Sequence, residues 1–345
     1  MKILYLGNSK ASSTSFHMSA ALKRLGHEVV IQDPYSYLSP ALRNKYKNYF
    51  HYHTGYKYLQ TSINKWMNEL IINIEDIDII WVNSGELMGY SAINKIKYLN
   101  IPLVLYINDD PTGTRDGNRF DSLMTAIPLF DLIITRRQET KTELALISNG
   151  KVLMKWLGYD EIFHNPKLNS DIDECYISDI CFIGTWMRGE NRDLFLLILI
   201  EKGLKLSIWG DRWKKSAHWG QLKNYWKGGS LSGDSYIKAI QGAKICLGML
   251  SKGNRDLHTR RSMEIPYAGG LLCAERTTEH LQLYKENEEA IFWDDANECA
   301  EKCINLLKSP EKREAIRLAG MKRVLANKVG NEDICRQILL EVSHL

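Results

Sequence analysis

Short runs of β-branched and other apolar residues alternate through the first half of the chain with longer stretches in which apolar residues recur every three or four positions. The runs fall at residues 3–6, 29–32, 79–82, 103–107, 132–135 and 152–156. Between the first two, Phe16, Met18, Leu22 and Leu25 share one helical face and Gly26 supplies a left-handed stop. Apolar strands joined by amphipathic helices are the signature of a parallel α/β sheet. A second start appears at Ile180-Cys-Phe-Ile-Gly184, after the polar stretch 165–179, which reads as a linker. Strand-like runs at 206–209, 245–250, 271–274 and 291–293 then alternate with helical stretches near 192–202, 234–242, 259–268 and 295–307.

The pattern predicts an α/β protein of two Rossmann-like, doubly wound domains, at 1–165 and 175–328. Ligands of such sheets bind at the carboxyl ends of the strands, so two of them facing each other define a cleft between domains. The segment 329–345 predicts a last helix, with Ile334, Ile338, Leu339 and Val342 on one face, that can cross back to the first domain.

Composition narrows the classes. Of 345 residues, 44% are hydrophobic and 25% charged, which excludes disordered and fibrous proteins. No apolar run approaches the ~20 residues of a membrane span, and the strand at 3–6 leaves no room for a leader's apolar core, so a cytoplasmic protein is expected. The seven cysteines are odd in number and lack disulfide-scaffold spacing; Cys299 and Cys303, four apart on a helix, read as core thiols rather than a metal pair. A formal charge of +4 suits anionic ligands and permits peripheral contact with an acidic membrane. No basic tract interleaved with aromatics marks a nucleic-acid reader.

The richest segment is Asp256-Leu-His-Thr-Arg-Arg-Ser-Met-Glu264, followed by Ile-Pro-Tyr-Ala-Gly-Gly270. A buried-sided carboxylate at Glu264 offers two acceptor oxygens to a ribose diol. Arg260 and Arg261, at the start of the same helix, suit a diphosphate, Arg261 more than Arg260. The segment resembles the glycosyltransferase group 1 family, in the branch typified by the spore-maturation protein CgeB. His258, Thr259, Arg261, Glu264, Ile265, Pro266, Gly269 and Gly270 match its pattern. Gly26-His-Glu-Val29, Asp109-Asp-Pro111, Phe182-Ile-Gly184 and the stretch from Gly233 to Ala239 resemble the same branch, so the likeness runs through nearly the whole chain.

The resemblance implies a GT-B fold and transfer of a sugar from a nucleotide-diphosphate donor, with retention and without a metal, to a glycan, glycolipid or protein. It implies that Glu264 grips the ribose and that Asp256, eight residues earlier and one methylene shorter than the usual Glu, faces the sugar. His258, Thr259 and Gly184 join the donor-binding set, and Arg188 and Arg192, in the loop after Gly184, neutralise the leaving phosphates. Gly7, in the loop after the first strand, permits close approach of a ligand. Asp109 and Asp110 are either a base for the acceptor or a turn signal before Pro111. His17 reads as structural, and the aromatic stretch around His51 and His53 as an acceptor-binding insertion or a packed surface loop. A non-hydrolysing nucleotide-sugar 2-epimerase and a silent sugar-nucleotide-binding module are the competing readings.

Overall fold

The computed structural model describes residues 1–72, 74–167 and 172–345. The chain forms two compact units: Met1–Trp156 with Gly253–Arg255 and Asn331–Leu345, and Leu157–Lys252 with Asp256–Gly330. Of the expected linker, residues 168–171 lie outside the described residues. The units divide at Trp156, earlier than residue 165, because the stretch from Leu157 to His164 packs on the second unit.

The first unit holds a six-stranded sheet of β1 (Lys2–Leu6), β2 (Glu28–Gln32), β3 (Ile79–Asn83), β4 (Leu103–Tyr106), β5 (Leu132–Thr135) and β6 (Lys151–Met154). All pairings are parallel, in the order β2-β1-β3-β4-β5-β6. A parallel sheet is covered on both faces, which is why its strands read as unbroken apolar runs. Leu4 and Leu6 point into one core with Ile63, Met67, Ile80 and Leu105. Ile3 and Tyr5 point into the other, with Met18, Leu22 and Trp81. The helix Asn331–Val342 covers that second face through Ile334, Cys335, Ile338, Leu339 and Val342.

The second unit repeats the plan with β7 (Ser178–Ile183), β8 (Leu206–Trp209), β9 (Trp226–Gly228), β10 (Ala243–Gly248), β11 (Leu272–Glu275) and β12 (Ile291–Trp293). The order is β12-β11-β10-β7-β8-β9, again parallel. Strand β9 has no counterpart in the sequence pattern, since its exposed Lys227 and closing Gly228 carry no apolar run. Cys299 and Cys303 lie in the core with Cys273, their three sulfurs within 4.8 Å of one another.

The ends of β7 and β8 meet more closely than side chains allow. Gly210 has φ +134°, and a Cβ there would lie 2.2 Å from the Gly184 carbonyl oxygen. Trp213 Nε1 donates to that oxygen at 2.9 Å. Gly210→Ala is therefore expected to destabilise the protein by about 1–3 kcal/mol, the cost of a side chain in a glycine-only conformation. Chemical denaturation of the two proteins checks this, and equal stabilities would count against the close approach.

Candidate functional site

In the second sheet the strand order reverses between β7 and β10. Loops leaving two adjacent strands there diverge to opposite faces, which opens a crevice at their carboxyl ends. The loop 184–191 follows β7, and β10 leads through residues 249–260 to the helix Arg261–Tyr267. The sequence motif thus lies at the switch point.

Glu264 sits in the first turn of that helix and is 7% exposed. Its Oε2 accepts a hydrogen bond from the Tyr236 hydroxyl at 2.7 Å. Nε2 of His164 lies 3.6 Å from its Oε1. Because His164 Nδ1 accepts from the Asp160 amide at 2.8 Å, the ring proton of neutral His164 is on Nε2, directed at the carboxylate. Burial pushes the Glu264 carboxyl up, but His164, Arg261, Arg260 and the Tyr236 hydroxyl together hold it below the ordinary value. Burial lowers His164 itself, so at neutral pH it acts on Glu264 as an N–H dipole rather than a cation. Burial and the nearby carboxylate push Tyr236 well up, so it stays a donor. Glu264 is thus a charged acceptor with lone pairs left over.

The guanidinium carbon of Arg261 lies 5.7 Å from the centre of the Tyr236 ring. Its Nε is buried without a hydrogen-bond partner, beside a small hollow lined by Cys181, Ile183 and Cys246. Among the described residues, no ion pair holds this guanidinium. Arg188 is likewise unpaired among the described residues and is exposed at the tip of the loop after β7. Asp256 stands half-buried ahead of the motif helix.

Other expected donor contacts have different work. His258 is 2% exposed; its Nε2 accepts the Leu157 amide at 3.0 Å and its Nδ1 meets Glu279 Oε2 at 2.5 Å. Both ring nitrogens are spent inside the protein, so the histidine anchors the motif rather than presenting itself to a ligand. Thr259 donates its amide to the Ser262 hydroxyl at 3.1 Å, which shapes the turn into the helix. Arg192 is buried and donates to the carbonyls of Thr185 at 2.9 Å and Leu250 at 2.9 Å, tying the loop after β7 to the chain after β10. Arg188 is thus the arginine of this loop whose guanidinium is not spent on the fold. Gly184 packs where a Cβ would lie 2.6 Å from the Phe182 ring.

Two supporting residues carry no signal of their role in the sequence. Tyr236 lies within the stretch from Gly233 to Ala239, and His164 stands beside the polar stretch that begins at residue 165. The segment 157–164 runs along the motif: Leu157 reaches His258, Tyr159 stacks on Tyr267 at 3.7 Å between centroids, and His164 reaches Glu264.

In the first unit a Cβ on Gly7 would lie 2.4 Å from Ser15 Oγ and 2.8 Å from the Tyr5 ring, so this loop packs closely on its own unit. Asp110 is 2% exposed, and its two oxygens take Arg255 at 2.7 and 2.8 Å and Thr140 at 2.8 Å. Burial alone would raise its pKa, but Arg255 and Thr140 bring it below the ordinary value, which makes it a structural acid and not a base. Asp109 is more open and accepts from Arg119 at 2.9 Å. His17 Nε2 lies 3.0 Å from the Ala11 carbonyl. Among the described residues no helix is long and apolar enough to cross a membrane.

Residues 192–339 match the family model described as glycosyl transferase-like, so the chain carries a glycosyl transferase-like domain. No curated protein sequence matches the chain significantly. Among solved structures, the Thermosynechococcus elongatus sucrose-phosphate synthase is similar at TM-score 0.67 and 13% identity, over 100% of this chain and 98% of that one. Anabaena HepE in complex with UDP is similar at TM-score 0.67 and 13% identity, over 100% of both chains. The E. coli trehalose-6-phosphate structure bound with UDP-2-fluoro glucose gives TM-score 0.67 and 10% identity, over 100% and 99%. The fold is GT-B: its two six-stranded parallel sheets with flanking helices match these glycosyltransferase structures over nearly their whole length.

The motif helix rests on His280, whose Nδ1 faces the Glu275 carbonyl at 2.6 Å and whose Nε2 lies 2.7 Å from Ser262 Oγ. Burial lowers the ring to about 4. An unfolded histidine titrates near ~6.5, so below that pH the unfolded chain gains a proton that the folded chain refuses down to about 4. Stability is therefore expected to fall as pH drops through this window, by about 3 kcal/mol in all from this residue. Unfolding free energy measured against pH should fall less steeply in His280→Gln, and parallel slopes would refute the assignment.

Proposed function

We propose that this protein is a glycosyltransferase that takes a nucleotide-diphosphate sugar, of the UDP class, as its donor and works with retention. The observation that carries the reading is a buried, charged Glu264 beside an unpaired Arg261 at the switch point of a glycosyl transferase-like domain. The bound UDP of HepE and UDP-2-fluoro glucose of the E. coli structure support the donor class by analogy of fold. The finer placement, in the CgeB-like branch, rests on the motif from His258 to Gly270.

In this reading Glu264 accepts both hydroxyls of the ribose, and Tyr236 and His164 keep its oxygens aimed and its charge stable. Arg261 faces the diphosphate, and exposed Arg188 swings onto the leaving phosphates. Arg261, held in place, and Arg188, brought in from the loop, stabilise charge where it develops as the sugar–phosphate bond breaks, in the role that a metal fills elsewhere. Asp256 orients the sugar. Asp109 is the first-unit acid left open to an acceptor hydroxyl, while Asp110 holds its loop through Arg255. The acceptor is a glycan, glycolipid or protein.

Titration calorimetry of UDP tests the donor site. Glu264→Ala deletes two charge-assisted hydrogen bonds of ~1.5–3 kcal/mol each, so UDP is expected to bind at least tenfold more weakly. Glu264→Gln, which keeps an acceptor for Tyr236, should lie between that variant and the natural protein. Arg261→Ala should weaken UDP far more than uridine. UDP binding unchanged in a folded Glu264→Ala protein would overturn the site.

Sugar transfer should survive chelation, because Arg261 supplies the charge. Complete loss in EDTA with recovery in Mn²⁺ would refute that point. Incubation with UDP-sugars and no acceptor should give no 2-epimer; its appearance without nucleotide release would make the protein an epimerase instead.

A further inference from the structure

The helix Lys45–His53 of the first unit buries none of its residues. Tyr46 is 84% exposed, Tyr49 68% and Phe50 50%. With His53 they occupy positions i, i+3, i+4 and i+7, which is a single stripe along the helix. Such a stripe ordinarily faces a core, and here it faces outward. Tyr58, 60% exposed, extends it by stacking on Phe50 at 5.3 Å between centroids. Lys45 and Lys47 flank the stripe on either side by helical angle, and Lys57 lies 5.1 Å above the Tyr58 ring.

The segment that carries this stripe has charge of one sign. Between Asp33 and Glu69 the sequence has no acidic residue, while Arg43, Lys45, Lys47, Lys57 and Lys65 are basic. Asp116 accepts the Tyr52 hydroxyl at 2.9 Å and is paired with Arg115, while exposed Asp121 lies beyond the helix's end, beside Gly55 and Lys57. Tyr52 stands about 110° round the helix from the centre of the stripe, on the flank of Lys45, and Asp116 is itself buried beneath it.

The geometry points to a docking surface for an anionic lipid bilayer, with the helix Lys45–His53 lying in the plane of the membrane. The rings enter the interfacial zone, where amphipathic aromatics are most stable, and the flanking lysines reach lipid phosphates. A sugar chain would also stack on aromatic rings, but sugar sites are concave and these residues stand on a convex helix. The cationic flanks favour a surface of fixed negative charge. The assignment is independent of the donor site.

Flotation of the full chain with vesicles of 30% phosphatidylglycerol in phosphatidylcholine tests it, against pure phosphatidylcholine vesicles. The natural protein is expected to partition at least tenfold more strongly onto the anionic vesicles at low salt. Tyr46→Ser/Tyr49→Ser/Phe50→Ser should lower that partition by tenfold or more while circular dichroism and the unfolding temperature stay unchanged, since all three side chains are exposed. Lys45→Glu/Lys47→Glu should remove the preference for anionic lipid. Equal partition onto both vesicle types, or full binding by the triple variant, would overturn the proposal. So would failure to bind vesicles together with binding of soluble oligosaccharides through the same residues.

Discussion

A carboxylate withdrawn from water has to be matched group by group, and the candidate donor site is organised around that requirement at Glu264. An unmatched buried ion costs several kcal/mol, so the residues near it cannot be arbitrary. Tyr236 supplies a hydroxyl, His164 an oriented N–H and Arg261 a positive charge, each from a different part of the second unit. The support continues outward. His258 ties the motif to Leu157 and Glu279, and His280 holds Ser262 at the turn into the helix. The residues that most resemble ligand contacts in sequence are partly the scaffold that keeps Glu264 charged and aimed.

The parallel sheets explain where such chemistry can sit. Strands covered on both faces carry mostly apolar side chains along their length, and the larger polar groups collect where the strands stop. At the end of β7, Gly184 and Gly210 come together because neither carries a side chain. Arg192 then joins the loop after β7 to the chain after β10 through two carbonyls. The crevice at the switch point is therefore a consequence of strand order, and its walls are held by backbone contacts.

Most of the fold was legible because buried strands leave apolar runs and covering helices leave a three-to-four periodicity. The edge strand β9 was not, since Trp226-Lys-Gly228 is too short and too polar to leave a run. Glu264 and Arg261 were legible as a motif, but the directions of their neighbours were not. A motif fixes residue type at a position and does not say whether a ring nitrogen faces a ligand or an amide, which is why His258 reads as a donor contact and folds as an anchor. Asp110 shows the same limit: a turn signal and a base look alike until Arg255 fills both oxygens. His164 left no signal because its partner Glu264 is distant in sequence and the intervening chain builds four of the second sheet's six strands.

The helix Asn331–Val342 carries a consequence for how the chain is made. It closes one face of the first sheet, where Ile334, Ile338 and Leu339 pack against Ile3, Met18 and Trp81, yet it is synthesised after the whole of the second unit. Each such side chain contributes about 1.5–3 kcal/mol when buried. On the ribosome the earliest sheet to emerge therefore waits with an apolar face uncovered while the later one completes itself. The first sheet can be covered on both faces only once the second unit has been translated, and until then its bare face is a surface that a chaperone would meet.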